Sequence, residues 1–197
     1  MEIPMKLASL IAVAGIAAAA SAQTITYSWT VSDTGNGDGI IEPGESALLT
    51  MSARMDPAAA GFAGSIYDII GGANWDTGSV DSYVNRLNEL TDNGALQANG
   101  DILLIESFQL PSAFNGNFVS DNPIELYYIT WTPADYSART VSVGDANHLN
   151  NSVYTDGFGT SVEYSGVAGS ASFDVVPAPA SMALLGLGGL VAGRRRR

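Results

Sequence analysis

Residues 46–55, SALLTMSARM, constrain the fold more than any other stretch of this chain. Ala47, Leu49, Met51, Ala53 and Met55 recur at every second position. Ser46, Thr50, Ser52 and Arg54 fill the alternate positions, with Leu48 as the exception. Side chains along a strand point to opposite faces in turn, so a period of two gathers the apolar groups on one face. A helix would spread the same residues around its circumference. The segment therefore reads as a half-buried strand, which needs a sheet around it and a second layer to cover its apolar face.

The rest of the chain supplies those partners. Thr24–Val31 has the Thr, Tyr, Trp and Val composition of a strand. Gly61–Ile70, Ile102–Leu110, Ile124–Thr132, Arg139–Val143, Ser161–Tyr164 and Ser170–Val175 are further candidates, with Pro111 and Pro133 as stops. Within 124–132 the alternation assigns Ile124, Leu126, Tyr128 and Thr130 to one face and Glu125, Tyr127, Ile129 and Trp131 to the other. Only Ser79–Leu90 changes period: Val80, Tyr83, Val84 and Leu87 follow helical spacing, Ser79 can cap the start and Asp92-Asn93-Gly94 can end it. The expected fold is mainly β, an antiparallel β-sandwich-like single domain with one short helix. No internal repeat or long linker divides it.

Both ends stand apart from this pattern. Lys6, the apolar run Leu7–Ala20 and the small residues Ala20-Ser21-Ala22 before Gln23 follow the order of a secretory signal peptide, with cleavage expected after Ala22. A buried N-terminal helix is the alternative. At the other end, Ala180–Gly193 holds 14 small or apolar residues apart from Ser181, and Arg194, Arg195, Arg196 and Arg197 follow. Fourteen residues of helix reach about 21 Å, short of the ~30 Å hydrocarbon core. Gly186, Gly188, Gly189 and Gly193 weaken that helix further. The arginines resist translocation, so the segment reads as a weak stop-transfer tail helix whose membrane association is transient or anchored.

Val176-Pro177-Ala178-Pro179, the short Leu- and Gly-rich run and the terminal arginines together resemble the PEP-CTERM sorting signal. Ala178 stands where that family usually has Glu. The resemblance implies Sec export, recognition by an exosortase, removal of the tail, and delivery to the cell surface or the exopolysaccharide matrix. A plain C-terminal anchor is the alternative. The expected organisation is a signal peptide over 1–22, an extracellular domain over 23–174 and a sorting signal over 175–197. Residues 23–174 then hold 19 acidic and three basic side chains (Arg54, Arg86 and Arg139), a net charge of −16. Such a body repels nucleic acid and attracts cations. With no cysteine in the chain, a disulfide framework is excluded.

The cation-attracting feature is the loop Asp33–Glu45, DTGNGDGIIEPGE. Calcium takes six to eight oxygen ligands, and glycines let a loop fold tightly enough for them to converge. In EF-hand spacing Thr34 falls at the first position, where Asp33 can stand in. Asn36, Asp38, Ile40 (through its carbonyl), Glu42 and Glu45 then fall at ligand positions. The flanks read as strands, so the expectation is an EF-hand-like loop on a β scaffold, holding structural calcium. A solvated acidic hairpin with Asx turns is the alternative. The run N-x-D-G-x-x-E-P-G-E from Asn36 to Glu45 also looks like surface proteins of planctomycete-type bacteria, which implies no reaction.

The case for an enzyme is thin. His148 is the sole histidine, and a hydrolase arrangement would need Asp145 and Ser152 beside it. There is no G-x-S-x-G elbow, and zinc lacks both Cys and a second His. Carboxylate pairs such as Glu89 with Glu106, or Asp121 with Glu125, would suit a glycosidase, but nothing in the sequence selects one. Exposed aromatics would suit a carbohydrate-binding module, and Tyr127 and Trp131, assigned to one strand face, are the expected glycan-stacking pair. The leading expectation is a non-enzymatic surface or matrix protein. A carbohydrate-binding adhesin is the first alternative and a glycan-active hydrolase the second.

Overall fold

The computed structural model describes residues 23–56, 59–87 and 89–178. The expected signal and tail helices lie outside these residues, as do Ala20, Ala22, Pro179 and the four terminal arginines. Twelve strands are described: β1 Thr24–Asp33, β2 Ile40–Ile41, β3 Ala47–Met55, β4 Gly61–Gly71, β5 Gly78–Asn85, β6 Ala95–Leu96, β7 Ile102–Phe108, β8 Ile124–Pro133, β9 Arg139–Tyr154, β10 Ser161–Glu163, β11 Ser165–Val167 and β12 Ser170–Val175. Among the described residues one 3-10 turn spans Trp75–Thr77.

The strands form a sandwich. One sheet has the order β11-β1-β3-β8-β5; the other runs β2-β12-β9-β4-β7-β6, with β10 paired to β9. Most neighbours are antiparallel; β11 joins β1, and β2 joins β12, in parallel. As the alternation requires, Ala47, Leu49, Met51, Ala53 and Met55 all face the core. They meet Tyr67, Ile69, Ile102, Ile105, Val141, Val143 and Phe173 from the opposing sheet. Each Val, Leu, Ile, Met or Phe side chain among them contributes about 1.5–3 kcal/mol by leaving water.

Two sequence expectations fail at β-bulges, and the strand expected over Arg139–Val143 runs on to Tyr154 as β9. Ser79–Leu90 is no helix; most of it is β5, an edge strand paired to β8. The register slips between Val80 and Ser82, so Val80 and Tyr83 pack on the core three residues apart instead of two or four. One inserted residue thus imitates the start of a helical period. The second bulge lies in β8. Tyr127 pairs with Met51 while Glu125 pairs with Ser52, which leaves Leu126 as the extra residue. Leu126 and Tyr127 are therefore both buried, and the face reverses from that point on.

That reversal removes the expected glycan platform. Tyr127 and Trp131 are each 0% exposed. Trp131 stacks on Trp75 at 5.7 Å, meets Phe173 edge-on at 5.4 Å and donates its indole N–H to the Trp75 carbonyl. It belongs to the core, where it has no face to offer a ligand.

Candidate functional site

Loop 33–45 is built by its own acids and glycines. Asp33 ends β1 in a buried position, and its carboxylate accepts the backbone N–H groups of Gly35, Gly37 and Gly39 at 2.7–2.8 Å. These amides, Gly37 foremost, hold its carboxyl below the usual carboxylate range. Asn36 Oδ1 accepts from the Asp38 amide and Asp38 Oδ1 from the Ile40 amide, two successive Asx turns. Glu45 folds back so that one oxygen accepts the Glu42 amide, while the other lies where a side chain on Gly35 would need to be. Among the described residues, no three His, Cys, Asp or Glu side chains converge as ligands for a metal. Of the residues assigned to calcium, Asp33, Asn36, Asp38 and Glu45 thus spend oxygens on the loop's own amides.

The loop is joined to the point where the tail leaves the body. Its two-residue strand β2 pairs with β12, Asp174 beside Ile40 and Val175 beside Ile41. The Val176 amide then donates to the Ile41 carbonyl at 2.9 Å. Ile41 and Val175 are buried, while Pro177 and Ala178 are exposed. Among the described residues the last one tied into the sheet is therefore Val176, the first of the proline-marked segment. A two-residue strand carries no periodic signal, so this link was illegible from sequence.

His148 sits in the core side of β9, its side chain 6% exposed. Its Nε2 lies 2.6 Å from Asp145, whose carboxylate also accepts from the Trp29 indole and the Gly169 amide. The imidazole stacks on Tyr27 at 4.0 Å. Ser152 turns to the Gly64 carbonyl, and the other ring nitrogen of His148 has no hydrogen-bond partner among the described residues. Asp145 and His148 do meet, while Ser152, the serine considered with them, bonds to Gly64.

The outer face of the β9-β4-β7 sheet carries two kinks tied to one carboxylate. Asp68 on β4 accepts from the backbone amide of Leu104 on β7 at 2.8 Å and from the Asn147 side chain on β9 at 2.6 Å. Leu104 and Asn147 both have left-handed backbones, φ 58° and 53°. Positive φ is strained for a leucine and persists only where the surroundings hold it. One carboxylate thus fixes a kink on each neighbouring strand. Beside the kinks stand Leu104, 67% exposed, and Leu149, 58% exposed, the latter paired with Ile66. Sequence reading assigned these residues no role, because the kinks that expose them break the strand period.

In backbone geometry the body is similar to solved cohesin structures. One is the cohesin module from a Clostridium perfringens ATCC13124 family 33 glycoside hydrolase, with a TM-score of 0.51 and 10% identity over 77% of this chain and 97% of that one. Another is the seventh ScaB type I cohesin from Pseudobacteroides cellulosolvens, with a TM-score of 0.50 and 12% identity over 78% of this chain and 92% of that one. At such identities the likeness shows a shared β-sandwich fold. No curated protein matches the chain in sequence. Residues 175–197 match the PEP-CTERM protein-sorting motif. The chain therefore carries a PEP-CTERM protein-sorting motif behind a cohesin-like β-sandwich, and the motif marks it as exported and sorted to the cell surface.

Proposed function

We propose that this chain is a non-catalytic surface module: exported through Sec with loss of residues 1–22, trimmed at its tail by an exosortase-type enzyme, and held at the cell surface or in the exopolysaccharide matrix by a protein partner. The observation that carries the binding role is the pair of strained kinks clamped by Asp68, which present Leu104 and Leu149 to solvent. Exposed apolar groups on a rigid sheet suit a protein interface, since their burial supplies affinity and the fixed backbone limits the entropy lost on docking. The cohesin-like fold supports the same reading. The test is retention of the exported protein on cell envelopes stripped of it. Leu104→Asp with Leu149→Asp should abolish retention while leaving the unfolding midpoint within a degree or two. Full retention by a folded double variant would refute the docking face.

Structural calcium in loop 33–45 is a separate proposal. It is supported by the oxygen-rich donor set and its spacing, and an ion would need Asp38 and Glu45 to exchange amide bonds for metal. A ligand at about 100 times its dissociation constant adds about 2.7 kcal/mol of stability. Millimolar calcium should therefore raise the melting midpoint by several degrees over chelator, and Asp38→Ala with Glu45→Ala should cancel that rise. Equal midpoints in calcium and chelator would discard the ion.

A further inference from the structure

A groove of about 540 Å³ opens where β5 ends beside the start of β8. Its apolar lining is Leu87, Val119 and Pro123, and its charged groups are Arg86, Asp121 and Glu125. The wall Val119–Pro123 is fastened near both ends by side-chain amides that stand in for backbone. Gln109, 3% exposed, donates to the carbonyls of Val119 at 3.0 Å and Phe62 at 2.7 Å, and accepts from the Val119 amide at 3.1 Å. Asn122 accepts from the Met55 amide at 2.9 Å and donates to the Met55 carbonyl at 3.0 Å. Between these ties Asp121 has no hydrogen-bond or ion-pair partner among the described residues.

The strand side is equally preset. The Arg86 guanidinium lies 4.4 Å over the Tyr128 ring, and the Tyr128 hydroxyl donates to Glu125. Arg86 has no ion pair among the described residues. The groove therefore offers a guanidinium with donors to spare and a carboxylate with acceptors to spare, over an apolar floor, on a wall that need not move to bind. A sugar ring matches all three: its hydroxyls both donate and accept, and its C–H face is apolar. Two carboxylates and a body charge of −16 select against acidic sugars. A bare cation would leave Arg86 and the apolar floor unused.

We infer that this groove binds a neutral sugar unit of a polysaccharide, with Arg86 donating to and Asp121 accepting from its hydroxyls. The site uses the opposite sheet from the docking face and stands whether or not that face binds protein. The test is a protein-observed NMR titration of the exported protein with neutral gluco-, manno- and galacto-trisaccharides. At least one should shift the amides of Arg86 and Leu126 with a dissociation constant in the low millimolar range. Arg86→Ala or Asp121→Asn should raise that constant about tenfold, the cost of one charge-assisted hydrogen bond. Arg54→Ala, an exposed arginine elsewhere on the same sheet, should leave it unchanged, and a galacturonate trimer should bind more weakly. Should Arg86→Ala unfold, Arg86→Lys keeps the charge and loses only the guanidinium geometry. No shift with any neutral trisaccharide, or an unchanged constant in the Arg86 and Asp121 variants, would overturn the assignment, as would equal binding of the acidic trimer.

Discussion

Asp33 turns its carboxylate back onto the chain that follows it, and three glycine amides answer. A carboxyl held low by hydrogen bonds to its charged form contributes stability above its ordinary value of 3.8 and loses it as pH falls through the lowered folded value. The account predicts that Asp33→Asn weakens the protein at neutral pH and flattens the loss of stability as pH falls below the ordinary carboxylate value of 3.8. Urea unfolding across that range checks both; parallel acid profiles for the two proteins would contradict them. At this scale the sequence was partly legible. The loop's residues and its flanking strands stood out, but whether a carboxylate oxygen faces an ion or an amide depends on side-chain direction, which spacing does not encode. His148 shows the same limit: its pairing with Asp145 spans three residues, yet the stack on Tyr27 that buries it comes from a strand far away in the chain.

Strands were legible where they alternate and illegible where they bulge. β1, β3, β4, β7, β8 and β12 fall close to the spans read from sequence, because each buries one face. β5 was mistaken for a helix and the faces of β8 were exchanged, each through one extra residue. β2, β6 and β11 are two or three residues long, and only their partners define them. β2 nevertheless braces the exit of the tail, so its geometry has consequences. Gly39, just before it, has φ +79°, and a Cβ there would sit 3.3 Å from the Val31 carbonyl oxygen. Gly39→Val should cost about 1 kcal/mol or more, since L-residues rarely adopt such a backbone. It should also speed hydrogen exchange at the Val176 amide. Unchanged exchange at Val176 in this destabilised variant would mean that β2 does not hold the root of the tail.

For the whole molecule, the sandwich followed from alternation plus turn residues, since half-buried strands can satisfy their apolar faces only by stacking two sheets. The outer surfaces were not legible in that way. The residues assigned to ligand stacking went into the core, while Leu104 and Leu149, apolar and unremarked, came out. What the molecule presents was set by kinks and amide ties that join distant segments: Asp68 to β7 and β9, and Gln109 and Asn122 to the groove wall. The body and tail then divide the work. The body is a preformed acidic sandwich whose last sheet bond among the described residues is at Val176, and the sorting motif, residues 175–197, starts in its final strand. The most direct check is the intact mass of the protein recovered from the surface of its own cells. The account predicts a chain that begins at Gln23, retains Val176 and lacks Arg194–Arg197. A mass that still includes Arg197 would contradict it.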